Sequence, residues 1–270
     1  MKAALIGIVL AGVTAASVAG VARAQPQQFR GGRQFDQGPP IEYQGNTPYD
    51  GRFVFIRLRY SFGGGFGRRG GGPPWSHDYP RGEVHVTKIL KEITYINPRT
   101  DGSNVLSLDD PELFNYPVAY MAEPGFWYPS DKEAESFRAY LKKGGFAIFD
   151  DFREREGHWA NLQDQMRRVL PEARWVELDD GTEAIWHSFF EIPDPMALEA
   201  HPVYAGMGLR PRYYGIFEDN NPAKRLIVIA NVDGDISEYW EFSNSGFAPV
   251  ELDNKAYKYG INYFIYGITH

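Results

Sequence analysis

Two consecutive carboxylates, Asp150 and Asp151, close the segment GGFAIFDD that begins at Gly144. The apolar run Phe146 to Phe149, set off by Gly144-Gly145, predicts a short buried strand that delivers both acids at its carboxyl end. In open α/β sheets, ligands bind beyond that end, where the strand order reverses. Asp150 and Asp151 are therefore candidate ligand-binding residues. A second set lies in WSHDYP, where Trp75, His77, Asp78 and Tyr79 stand close together. If the two segments meet, carboxylates and an imidazole can bind a divalent cation or move protons. Against this stands a structural role, because an Asp that follows a strand often caps the next helix or accepts loop N–H groups.

Other chemistries are excluded by what is missing. The chain has no Cys, so disulfides, thiolate ligands and a thiol nucleophile are ruled out. No H-x-x-x-H pair or comparable spacing defines a metal set, and no metal or cofactor is assigned. No G-x-S-x-G elbow is present, which removes an ordinary α/β-hydrolase. The Gly-rich stretch Gly63 to Pro74 lacks phosphate-loop spacing and reads as a flexible loop. His201 begins a turn, His187 lies in an aromatic stretch as a packed residue, and His270 is terminal. Trp75, Trp127, Trp186 and Trp240 have rings that can stack on a sugar, although core packing is the commoner use of Trp.

The elements that must position these residues alternate between strand and helix. RFVFIRLRY, Arg52 to Tyr60, alternates as a strand with two different faces. Helical spacing follows at Val84, Ile89, Leu90 and Ile93. Strands are expected near Val105 to Leu108 and over Tyr116 to Ala122. Ser130 and Glu133 form a capping box, opening a helix that ends at Gly144-Gly145. A helix runs from about His158 to Leu170, RWVEL reads as a strand, and Glu183 to Ile192 is ambiguous. RLIVIANV, Arg225 to Val232, is the most apolar strand, and Asn254 to Tyr266 has helical spacing. The alternation implies a mostly parallel sheet with helices on both faces.

The start of the chain has the order of an export signal. Met1 and Lys2 precede an apolar run of small residues, and Ala22-Arg23-Ala24 is a small-x-small cleavage site. Residues 1–24 are thus expected to be removed, leaving a periplasmic or secreted protein that is not integral to the membrane. Residues 25–51, rich in Gln, Gly and Pro, read as a disordered leader, and residues 52–270 as a single domain. Without Lys2 and Arg23 the chain carries 26 basic against 35 acidic side chains, a net charge of −9. A domain this acidic is not expected to bind nucleic acid.

The segments FVFIRLRY, WSHDYP, DDPELFNYPVAYM, LKKGGFAIFDD, HPVY and YGINYFIYGIT occur in this order. Together they resemble the domain-of-unknown-function family numbered 4159, over about residues 52–270. That family resembles class I glutamine amidotransferase-like folds, including trehalose-utilisation (ThuA-like) proteins, which implies a flavodoxin-like three-layer α/β fold. Amidotransferases of this fold use a Cys nucleophile, absent here. ThuA-like proteins often carry a His after the corresponding strand, where this chain has Asp150 or Asp151. The resemblance therefore implies a location, the pocket beyond Asp150 and Asp151, and no mechanism. The residues point to a non-catalytic envelope module that binds a saccharide or a protein. The alternative is a carboxylate- or metal-dependent hydrolase of an envelope carbohydrate.

Overall fold

The computed structural model describes residues 45–62, 72–204 and 206–270. The expected signal, most of the expected leader and residues 63–71 of the Gly-rich stretch lie outside them. Seven strands form one sheet in the order β2-β1-β3-β4-β7-β6-β5. They are β1 Ile56–Arg59, β2 Asn104–Ser107, β3 Val118–Ala122, β4 Phe146–Phe152, β5 Val176–Glu177, β6 Arg212–Phe217 and β7 Leu226–Val232. The strands from β2 to β7 pair in parallel, whereas β6 runs antiparallel to both of its neighbours. Strand β6 was not expected, because RYYGIF carries no clear alternation or turn signal. The five helices are α1 Arg81–Ile93, α2 Asp131–Lys142, α3 His158–Val169, α4 Ile236–Phe242 and α5 Val250–Thr269.

The central strands β3, β4 and β7 are buried along their whole length, as continuous apolar runs in a doubly covered sheet must be. Helices α2 and α3 cover one face through Phe137, Leu141, Trp159, Leu162 and Met166. Helices α1, α4 and α5 cover the other through Val86, Leu90, Trp240, Ala256 and Phe264. The result is a three-layer α/β architecture compatible with the flavodoxin-like class. Burying each large apolar side chain contributes about 1.5–3 kcal/mol, and cores on both faces provide the stability that disulfides would otherwise supply. The Ser130–Glu133 capping box is formed at the start of α2. Gly144, at φ 114°, follows its last turn. Among the described residues no helix is long and apolar enough to cross a membrane.

Three expectations need correction. The chain is ordered before Arg52: Asn46 brackets Val105 with a pair of hydrogen bonds of 2.8 and 2.9 Å, and Thr47 bonds to Asn104. Asn46 thereby satisfies backbone groups of Val105 on the edge of β2, while the Asn104 side chain satisfies the backbone of Thr47. In α1 the buried stripe runs through Glu83, Val86, Thr87 and Leu90, while Ile93 is 40% exposed. His187 is not packed in the core but stands partly exposed between Glu191 and the Gly181 carbonyl.

The buried stripe of α1 includes Glu83 because it meets a buried cation. Strand β1 turns Val54, Ile56, Leu58 and Tyr60 toward α2 and α3, and Phe55 toward α1 and α5. Arg57 shares the Phe55 side and is 0% exposed. Its Nε donates to Glu83, while Nη1 donates to the carbonyls of Trp75 and His77 at 3.0 and 2.8 Å. One buried ion pair thus fixes the segment that carries His77 to both β1 and α1. Removing one partner of such a pair strands a buried charge. Glu83→Gln should therefore lower unfolding free energy by about 3–5 kcal/mol, measured by urea titration. An unchanged midpoint would mean that the two carbonyls alone satisfy Arg57.

Candidate functional site

Four adjacent strands send acidic residues beyond their carboxyl ends. His77 and Asp78 follow β1, Glu123 follows β3, Asp150 and Asp151 end β4, and Asp235 and Glu238 open α4 after β7. Tight backbone turns lie at or soon after these acids. Asp78, Glu123, Asp151 and Asp233 all have positive φ, between 47° and 63°. Positive φ is uncommon in residues other than Gly, and Asp tolerates it better than most. Strained positions of this kind gather at working sites.

The register of β4 against β7 shifts between Phe149 and Phe152. Consecutive residues in a regular strand point to opposite faces, but here a bulge redirects the second carboxylate. Asp150 turns inward and is 0% exposed. Its Oδ2 accepts from the Tyr120 hydroxyl at 2.8 Å and from the N–H groups of Ile236 and Ser237 at 3.0 and 3.2 Å. Its Oδ1 accepts from Asn231 at 2.9 Å. Burial pushes its pKa up to about 6, against the pull of these donors. Asp150 thus anchors the first turn of α4, the structural alternative raised above.

Asp151 faces the crevice. It bonds to His77 Nδ1 at 2.6 Å and to Arg153 at 2.9 Å. Burial opposes its charge, yet His77 and Arg153 outweigh burial and hold its pKa well below the usual carboxylate range. The His77 side chain is 41% exposed. Burial of its inner part disfavours the imidazolium, but Asp78 and Asp151 overcome this and raise its pKa well above the ordinary value. Its Nε2 takes no hydrogen bond among the described residues. Arg153 also lies 3.5 Å from Asp235 and over the Tyr204 ring, whose hydroxyl donates to Asp235 at 2.6 Å.

Around His77 the remaining acids are crowded. Ligand atoms of His77, Asp78, Asp235 and Glu238 all lie within 4.8 Å of one another, as do those of His77, Glu123 and Asp151. Asp78 accepts from Ser237 through Oδ2, and its buried Oδ1 has no hydrogen-bond donor. Burial, then neighbouring carboxylates, push Glu241 up to about 7, Glu123 to about 8 and Glu238 to about 9, and Asp235 well above its ordinary value. So many acids cannot all ionise together without a compensating charge.

Of the residues named from sequence, His77, Asp78 and Asp151 meet in this crevice. Asp150 lies behind it, linked through Tyr120 and Ser237. Trp75 and Tyr79 are 5% and 7% exposed. Trp127, Trp186 and Trp240 are 0% exposed, so none of the suggested stacking rings presents a face to solvent. His201 is likewise buried, against Tyr239 and Phe247. Sequence reading missed Glu123, Arg153, Tyr204, Asp235, Glu238 and Glu241. The rule that singled out Asp150, an acid closing an apolar strand, also fits Glu123 after VAYMA, and after LIVIANV it selects Asp233, two residues before Asp235. The Glu238 position follows only from the α4 turn, and Arg153 and Tyr204 had no signal.

The family model described as "Domain of unknown function (DUF4159)" matches residues 54–268. No curated protein matches the chain.

Two measurements check this electrostatic picture. Replacing Asp150 with Asn removes a carboxylate that accepts from four donors, and hydrogen bonds to charged groups contribute about 1.5–3 kcal/mol each. Asp150→Asn should lower stability by at least about 2 kcal/mol in chemical denaturation. A neutral or stabilising effect would reject the anchoring role. The second is pH dependence. Asp150, Glu241, Glu123, Glu238, Asp235 and His77 have raised pKa values, so the folded state binds their protons more tightly than the unfolded chain. Their stabilisation is complete at acid pH and lost as pH climbs through the folded values. Asp151, with its depressed pKa, acts oppositely and loses its contribution in acid. The melting temperature in metal-free buffer should fall between about pH 6 and pH 9. A flat or rising profile would contradict the raised values.

Proposed function

The chain belongs to the DUF4159 family, whose name carries no activity, and we propose from its geometry that it is a carboxylate-dependent hydrolase of an uncharged substrate. One observation carries this reading. His77, Glu123 and Asp151 hold their polar atoms within 4.8 Å of one another beyond the carboxyl ends of β1, β3 and β4. Strand order reverses between β1 and β3, which is where open α/β sheets bind ligands.

The roles follow from access. His77 is the most open member, oriented by Asp151, which Arg153 holds in turn. That is the arrangement of an acid–base group with its orienting partner. Glu123 is half-buried on the other side of the same small space. Water adds to the electrophilic carbon of the substrate while the bond to the leaving group breaks. Of His77 and Glu123, one accepts the water proton and the other donates a proton to the leaving group; the proton count is unchanged, and a later transfer through solvent from the first to the second restores the starting state.

The acidic wall selects the substrate. An anion would hold the already raised acids Glu123, Asp235 and Glu238 in their protonated forms, because a further negative charge disfavours the carboxylate, and so would disable the group that must accept a proton. A neutral carbohydrate meets no such barrier, and the expected export of the chain makes an envelope carbohydrate the natural class. A non-catalytic saccharide-binding scaffold is less well supported, because the Trp rings that would serve it are buried.

The test is hydrolysis of soluble, uncharged envelope and plant polysaccharides, followed as new reducing ends. His77→Asn and Glu123→Gln should each reduce the rate by about 10²–10⁴-fold, the usual contribution of a positioned acid–base group. Both variants should remain folded, as judged by circular dichroism. Full activity in either variant would remove that residue from the mechanism. Loss of activity in neither would reject the site.

A further inference from the structure

The residues on the α4 side of His77 point to more than proton transfer. His77, Asp78, Asp235 and Glu238 bring one imidazole and three carboxylates within 4.8 Å of one another. Two ligands on opposite sides of an ion bound at about 2.1–2.4 Å stand about 4.2–4.8 Å apart. The spacing therefore fits a single shared ion without rearranging the backbone.

An acidic cluster alone would say little, but two further observations bear on this one. The first is the imidazole, which a purely electrostatic patch does not need. The second is Asp78. Its side chain is 0% exposed, yet its Oδ1 has no donor. A buried carboxylate oxygen without a donor carries a desolvation cost that native proteins rarely leave unmet. Ser237 serves only its other oxygen. The neighbours of Asp78 include His77 Nδ1 at 3.6 Å from Oδ1, beyond hydrogen-bond reach, and the Glu238 and Glu241 side chains, which hydrogen-bond to Asp78 only while they keep a proton. A divalent cation beside Asp78 would take the place of those protons.

We propose that His77, Asp78, Asp235 and Glu238 bind one divalent transition cation of the Mn2+ type. Carboxylates suit Mg2+, Ca2+ and Mn2+, whereas an imidazole suits the transition metals. A mixed set of one His and three acids selects their overlap. The anchors of the cage are already in place. Asp235 caps α4 through Glu238 N–H at 3.0 Å, so two ligands are set by one helical turn. Arg57 fixes the carbonyl of His77 at 2.8 Å. The inference rests on reading this crevice as the working site, and it reassigns His77 from proton carrier to ligand. Such a cation would supply activation of water at this site, and Glu123 would be left to move the proton.

The test titrates Mn2+ into the purified full chain at fixed pH, reading free Mn2+ by its electron paramagnetic resonance signal. One ion per chain should bind. Asp78→Asn and Glu238→Gln should each weaken binding by at least about tenfold, since even outer-sphere partners of metal sites change affinity by that much. Glu112→Gln, remote and exposed, should leave it unchanged. Should a variant fail to fold, electron spin echo modulation of wild type bound to Mn2+ still decides the matter, because a ligating His77 gives a directly bound nitrogen signal. No binding by wild type, no nitrogen coupling, or equal affinity in the folded variants overturns the cation site. The hydrolase reading is separable from it. Hydrolysis undiminished by EDTA together with absent Mn2+ binding would reject the cation and keep the His77–Glu123 acid–base pair. Tight Mn2+ binding without hydrolysis of any substrate would keep the cation and reject the hydrolase.

Discussion

The Asp150 carboxylate gathers Tyr120 from β3, Asn231 from β7 and the first N–H groups of α4 around one buried charge. A buried charge is tolerated only when its oxygens are satisfied. Those donors can reach it only if β3, β4, β7 and the entry to α4 hold one fixed relation. Helix α4 spans only Ile236–Phe242, too short to be stable by itself. Its position comes from Asp150 behind, the Asp235 cap at its start, and Trp240 packed beneath. Asp235 and Glu238 therefore face His77 because Asp150 faces away from it.

A buried ion pair performs the same service on the other side of the crevice. Arg57 joins β1 to Glu83 on α1 and holds the carbonyls of Trp75 and His77. Breaking either anchor would release only one half of the crevice. The anchors are rigid because each sits in a layer of packed apolar side chains, where small displacements forfeit contacts. The carboxylates between them are held closer together than their mutual repulsion favours. A protein optimised only for stability would not place Asp78, Glu123, Asp235 and Glu238 around one imidazole. The folded cores on both sheet faces hold them there, and protons or a cation offset the charge.

Much of this molecule is legible in its sequence wherever the information is local. The Ser130 capping box, the apolar runs of β3, β4 and β7, and the glycine stop after α2 are short-range patterns that one stretch of backbone satisfies alone. The parallel arrangement also follows from the strand–helix alternation. Strand β6 escaped because its partner, β7, supplies the pairing that its own residues do not advertise. The expected start at Arg52 was too late because Asn46 acts through Asn104 and Val105, far along the chain. Arg57 reads as one polar position in an alternating strand, and nothing nearby in sequence shows that Glu83 will bury it.

The site divides in the same way. Asp150 and Asp151 were identifiable because an apolar strand that ends in acids must deliver them to the sheet edge. The sequence by itself determined that edge, the residue types present there, and the absence of any thiol. Asp150 follows Phe146 and Ile148 onto the α4 side of the sheet, and the register shift in β4 turns Asp151 toward His77. The grouping of His77 with Asp78, Glu123, Asp235 and Glu238 belongs wholly to tertiary structure. These residues come from β1, β3 and β7 connections separated by long stretches of chain. Only the sheet order β1-β3-β4-β7, fixed by burial on both faces, brings the four strand ends side by side.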